Sequence, residues 1–289
     1  MNRRFGHFAC IDWSGARGER QKGIAVAVSD GPGKTPKLID CSWSRQGVLD
    51  WLLDHAAKGS NLLVGMDFSA ALPFLDAGAY FPGWLESPDD ARGLWKLIDT
   101  LCRDDPHLEA GSLVDHVEAS RHFRRHGGRQ GDLFGKGNGR YRLVERICRD
   151  NRHGPATSCF NLVGAAQVGK SSLTGMRMLN RLDGRLAVWP FDAVPDSGPV
   201  IVEAYTTIAA RQAGLTGGSK MRDADRLRAG LAGFGIGRMP RLTRYDDHST
   251  DAILTAAWLA EAAADDRYWH PPQLTPAIAQ VEGWTFGIP

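Results

Sequence analysis

The sequence predicts an α/β fold: a mixed sheet flanked by helices, in one domain spanning 1–289, with an inserted, mostly helical and loop segment at 73–158. Three observations predict it. Short apolar runs of strand length recur early, each bounded by turn residues. Stretches with helical spacing separate or follow them. A looser, turn-rich stretch then interrupts this alternation before it resumes.

The elements follow in order. "FACIDWSG" (8–15) is an apolar strand that ends at Asp12 and turns at Gly15. "GIAVAVS" (23–29) follows a polar turn, so the two make a hairpin, and "KLIDCSW" (37–43) is a third strand after Gly-Pro-Gly. "RQGVLDWLLDHAAKG" has helical spacing at Val48, Leu49, Leu52, Leu53 and Ala56, with Gly59 as its stop. "NLLVGMDFS" (61–69) is a fourth strand, apolar until Asp67. Three strands, a helix and a fourth strand resemble the opening of an RNase H-like sheet. Beyond the insertion come a strand at 159–163, an amphipathic helix to about 182 and strands near 186–191 and 200–205. Helices are expected near 223–233 and about 248–264.

Composition narrows the function classes. A hydrophobic fraction of 43% and a charged fraction of 24% are those of an ordinary soluble globular protein. A net charge of +2 means that any nucleic-acid surface must arise by local segregation. The five cysteines are widely spaced and never form C-x-x-C, which reads as reduced thiols in a cytoplasm. Asp12 interrupts the first apolar run too early for a signal peptide, and no run approaches a membrane span.

The candidate chemistry lies in the carboxylates. Asp12 and Asp67 each sit at or near the end of an apolar strand. "DDHSTDAILTAAWLAEAA" places Asp247 and Asp251 one helical turn apart, with His248 three residues before Asp251. If the strands are neighbours and this helix packs beside them, three carboxylates converge. Such a group repels itself until divalent cations relieve it, and hard oxygen ligands select Mg²⁺ or Mn²⁺. Glu203, within "VIVEAY", must find either a salt-bridge partner or a metal.

These residues carry a resemblance. Asp12, Asp67 and the His-x-x-Asp-Ala of "HSTDA" resemble the active-site layout of the RuvC-like branch of the RNase H superfamily. More closely, "IDWSGA", "VGMDFSAALP", "LVGAAQVGKSSLTGMRML", "VIVEAYTT", "DDHSTDA" and "EGWTFGIP" resemble a family of predicted RNase H-like nucleases. The resemblance implies Asp12, Asp67 and Asp251 as metal ligands, with His248, Asp247 and Glu203 as further candidates. It implies a metal-dependent nuclease that hydrolyses phosphodiester bonds in DNA or RNA by a two-metal mechanism with water as the nucleophile.

Two further features bear on ligands. "GAAQVGKS" (164–171) fits the P-loop pattern, so the alternative is a nucleotide-binding protein using Lys170, with Ser171 on Mg²⁺. Segment 121–152 holds ten Lys/Arg against three Asp/Glu, which suits phosphate contact, and Phe123, Phe134 and Tyr141 are candidates for base stacking. Lys170, Arg124, Arg125 and Lys220 are the candidate phosphate ligands.

Overall fold

The opening hairpin is present. β1 (His7–Asp12) pairs antiparallel with β2 (Ala25–Ser29), and a two-residue β3 (Lys37–Leu38) extends β2. The computed structural model describes residues 4–135, 137, 139–151, 157–164, 168–215, 222–242 and 245–289. The expected third strand therefore reaches only Leu38 of its 37–43 run. α1 (Arg45–Ala57) begins where Ser44 Oγ accepts the amide of Gly47, which satisfies one of the otherwise orphan donors of its first turn. β4 (Leu62–Met66) then returns parallel to β1, with Ile11 beside Met66.

The 73–158 stretch contains α2 (Ala91–Leu101), α3 (Gly111–Asp115) and α4 (Leu143–Asp150) among its loops. It does not lie apart from the sheet. Its Tyr80, Phe81, Trp95, Phe123 and Phe134 are buried in the core that also holds Ile11, Val64 and Met66. α5 (Val168–Arg181) covers the same face, and Gly175 lets the Phe68 ring lie where a side chain would otherwise stand. β5 (Ala187–Trp189) and β6 (Val200–Glu203) complete the sheet, both parallel to β4. α6 (Thr206–Gln212), α7 (Ala224–Gly233), α8 (Asp247–Ala262), α9 (Asp266–Trp269) and α10 (Pro276–Val281) follow.

Among the described residues the six strands run in the order β3-β2-β1-β4-β6-β5. The fold is thus α/β, a mixed sheet with helices on both faces. Strand alternation divides the core. Ala9, Ile11, Val26, Val64 and Ile201 face α1, α2 and α5, while Phe8, Cys10, Ala25, Leu63 and Val202 face the layer of α8. α8 lies close on the strands because its inner face is small: Ala252, Ala256, Ala257 and Ala260 are all buried. Gly65 of β4 deepens the fit, since a Cβ there would come within 2.6 Å of Leu259.

One expected strand is absent. Residues 159–163 form a turn, and only Asn161 makes an isolated bridge, to Arg124. Phe160 and Leu162 are nonetheless buried, so an apolar run reads here as covered coil.

Candidate active site

Asp12 and Asp67 end adjacent parallel strands. The Asp67 amide donates to the Ile11 carbonyl at 3.1 Å, which clamps the two strand ends together. The alternation that sends Ile11 and Met66 to the α5 side sends the two carboxylates toward α8. α8 begins over them: Asp246 caps it by accepting the Ser249 amide at 2.9 Å, and His248 and Asp251 follow within the first two turns. His248 Nδ1 lies 2.9 Å from Asp12 Oδ2. Gly23, at the turn into β2, leaves room for the imidazole, because a Cβ there would stand 3.3 Å from its Nε2.

The electrostatics describe one site. Burial, then the charges of Asp12, Asp251 and Glu203, push the Asp67 carboxyl well above the ordinary 3.8. The Cys10 thiol beneath is raised by burial and next by Asp67 and Asp12, with Asp251 acting in the same sense. Asp12 is raised by burial, while the hydrogen bond to His248 pulls the other way. His248 is raised chiefly by that bond. An ion pair alone would lower Asp12; its side chain is only 10% exposed, and burial outweighs the partner. Among the described residues, neither Asp12 nor Asp67 forms an ion pair with Lys or Arg, and the Asp67 side chain accepts no hydrogen bond.

Asp247 stands at the same helix start but pairs with Arg222, at 2.7 and 2.9 Å. It adds negative charge near Asp12 and His248.

Glu203 corrects an expectation. It is buried at the end of β6, yet both of its oxygens are taken. Oε1 accepts from Arg142 at 2.6 Å and from Thr285 at 2.6 Å; Oε2 accepts from Arg142 at 2.9 Å and from the Ala70 amide at 2.9 Å. Burial alone would raise its carboxyl, and the Arg142 charge turns the net shift downward. Glu203 takes the salt-bridge alternative rather than the metal-ligand one. Arg142 also donates to Glu145 at 3.0 Å and to the Glu282 carbonyl at 3.0 Å. It is a buried anchor and no phosphate contact.

The basic segment is likewise sorted by burial. Phe123 and Phe134 are 0% and 1% exposed, so they belong to the core and are closed to base stacking. His122 is buried beside Phe81, whereas His126 is exposed and accepts from Lys170 Nζ at 3.0 Å. Arg124 is exposed, and Arg125 reaches Asp115 at 3.2 Å. Lys220 lies outside the described residues.

In the GAAQVGKS segment, residues 165–167 also lie outside the described residues. The rest is engaged by its own fold. Ser171 Oγ donates to the Val168 carbonyl at 2.8 Å. Ser172 Oγ accepts the Ser69 amide at 3.1 Å, which ties α5 to the loop that follows Asp67. Gly15 packs directly on the Lys170–Ser171 peptide. The sheet strand that a P-loop needs ahead of it is the missing 159–163 strand.

Residue-type reading missed two contributors. Arg17 joins Lys170, Arg125 and Arg129 around one cavity, although "GARGER" reads only as a polar turn. Arg45, buried, donates to the carbonyls of Ser14, Ala16 and His107 and so holds the loop beyond Asp12. No local pattern announces either role.

The donor set fits a hard divalent cation in kind: neighbouring carboxylate oxygens, those of Asp12 buried and those of Asp67 on a half-buried residue. The fit lies in donor chemistry and charge, because among the described residues no group of three or more His, Cys, Asp or Glu is already gathered as a metal cage. No family model matches the chain, and neither a curated protein nor a solved structure does.

Proposed function

We propose that the protein is a metal-dependent nuclease that hydrolyses phosphodiester bonds in nucleic acid, built on an RNase H-like sheet. One observation carries this reading. Two strand-end carboxylates, Asp12 buried and Asp67 half-buried, stand side by side under a helix bearing Asp251 and His248, and neither has a Lys or Arg partner among the described residues. Burying charge without compensation is costly, and such arrangements persist at sites whose missing partner is a ligand. The antiparallel β1–β3 and the parallel β4 beyond a helix support the RNase H-like assignment.

Asp12, Asp67 and Asp251 would hold Mg²⁺ or Mn²⁺, which when bound activates water and stabilises the leaving oxygen of a phosphodiester. Asp12 has a second task. By accepting from Nδ1 it fixes the orientation of the His248 ring, leaving Nε2 as the nitrogen available to substrate. The ring is about half exposed, so it can reach a phosphate while its inner edge stays anchored. Asp247, paired with Arg222, shapes the local field.

The nucleotide-binding alternative through 164–171 has weaker support, since Ser171 and the Lys170–Ser171 peptide are already engaged. Among the described residues no helix is long and apolar enough to cross a membrane.

The test is cleavage of labelled single-stranded, duplex and branched DNA and RNA with Mg²⁺ or Mn²⁺, for wild type and Asp67→Asn. Metal-dependent products from wild type alone are expected. Absence of cleavage across the panel, together with no metal-induced rise in melting temperature, would remove the proposal.

A further inference from the structure

A second concave site lies at the same end of the sheet, on the face opposite α8. Its cavity of about 480 Å³ is bounded by the Gly15–Arg17 turn, the N-terminal half of α5, the start of α3 and the Arg125–Arg129 loop. That volume is in the range of sites for single small molecules. Its walls are of two kinds.

One wall is cationic. Lys170, Arg17 and Arg129 line it, and among the described residues none of them forms an ion pair with a carboxylate. Lys170 meets only the neutral-acceptor nitrogen of His126, and Arg129 only a backbone carbonyl. Burial, and then the charge of Arg17, lower the Lys170 ammonium. Arg125 Nε is buried at the rim with no hydrogen-bond partner. The acids present are occupied: Glu109 accepts the Gly18 amide at 2.7 Å and Asp115 faces Arg125. Four cationic side chains against these two carboxylates leave the concavity net positive, which attracts an anion.

The other wall is apolar, made by Val114, Leu162 and Leu173. An anion with an attached flat apolar face fits both walls, and a nucleotide has this form. A base stacked inside a duplex keeps both faces covered and cannot lie against the wall of a concave pocket, whereas an unstacked one can.

The position links this pocket to the carboxylates. Gly15 is three residues beyond Asp12, a span of at most about 11 Å of extended chain. Trp13, between them, donates to Thr174 on the pocket floor at 3.0 Å, and Arg45 holds the intervening loop. One strand of nucleic acid can therefore occupy both sites.

We propose that this pocket receives one unstacked nucleotide of a single-stranded segment, its phosphate on Lys170, Arg17 and Arg129 and its base on the Val114–Leu162–Leu173 wall. The proposal rests on the nuclease reading for its substrate class and makes that substrate single-stranded or locally opened.

The experiment measures binding in EDTA, so that it does not depend on cleavage. A short labelled single strand and the same sequence as a blunt duplex are titrated into wild type, Arg17→Ala and Ala16→Trp. Ala16 is exposed at the cavity mouth, so the indole fills the space without entering the core. Melting temperatures check that both variants fold, and Arg17→Ala tests the same pocket without adding bulk.

Wild type should bind the single strand about tenfold more tightly than the duplex, and each variant should lose most of that preference. Adenosine monophosphate should displace the strand from wild type better than inorganic phosphate does. Unchanged single-strand affinity in both variants, or equal competition by inorganic phosphate, overturns the proposal. Pocket-dependent binding without metal-dependent cleavage would instead leave this site standing and remove the nuclease reading. Cleavage by wild type that is indifferent to both variants would do the reverse.

Discussion

Two groups of acids sit at the same end of the sheet, and they are treated in opposite ways. Around Glu203, the acids Glu145 and Glu282 meet a buried arginine and a set of backbone amides. Glu282 alone accepts from Phe74, Leu75 and Leu143 at 2.6 to 2.9 Å. Around Asp67, one residue beyond the Met66 that pairs with Glu203 across the β4–β6 ladder, the neighbours are other carboxylates and one histidine. Glu203 and Asp12 are both buried, so burial does not tell structure from function. Compensation does: the first group is closed by Arg142, whereas in the second neither Asp12 nor Asp67 has a Lys or Arg partner among the described residues.

The largest expected effect comes from opening the closed group. Arg142→Met strands Glu203 and Glu145 without their cation and should cost about 3–5 kcal/mol of stability, read as a lower denaturant midpoint. If stability is unchanged, the two groups do not differ as described.

Next is Asp67→Asn, which relieves repulsion in the open group. It should raise the melting temperature of the metal-free protein, abolish the rise on adding Mn²⁺, and lower cleavage by at least about 100-fold. Opposite signs for Arg142 and Asp67 in metal-free stability are the sharpest form of the comparison.

pH supplies an intermediate effect. The folded-state carboxyls of Asp67 and Asp12 lie above their ordinary 3.8. Their contribution is therefore fully present below that value and is lost as pH rises through the folded values. His248, raised above 6.5, acts in the same direction: its contribution is full below 6.5 and is lost above its folded value. The melting-temperature gap between Asp67→Asn and wild type in EDTA should thus widen as pH rises from about 4. Stabilisation by added Mn²⁺ should grow over the same interval, since the metal needs ionised ligands. A gap that narrows with rising pH would contradict the upward shift.

The smallest effect belongs to Lys170→Ala. It should weaken strand binding a few-fold and reduce the salt slope by about one, with Mn²⁺-induced stabilisation intact. Abolition of ATP or GTP binding by this change would favour the P-loop reading instead.

The open group was legible in the sequence because a carboxylate that ends an apolar run is a local irregularity. Asp12, Asp67 and the spacing of His248 and Asp251 stand out against period-2 and helical patterns. The closed group was legible only as a question. Glu203 needed a partner, and that partner, Arg142, lies 61 residues away inside a basic stretch that reads as surface. Aromatic and apolar residues misled in a related way. "CFNLV" has the composition of a strand, yet its main chain bonds to the Arg124 loop, where Phe160 and Leu162 fill a core with Phe81 and Phe123. Side chains that cover a sheet and side chains that belong to it carry the same pattern.

Gly65 has a consequence that reaches beyond packing. α8 is held over β4 at a height set by the absence of one methyl group, and a Cβ at that position would press on both Leu259 and, at 3.1 Å, Ala204. Since Asp251 and His248 ride on this helix while Asp12 and Asp67 ride on the strands, the residue acts as a spacer of zero thickness between two halves of a jaw. Gly65→Ala would insert a shim, leaving every polar group in place while parting the halves by a fraction of an ångström, a tolerance to which gripping a small ion is far more sensitive than remaining folded.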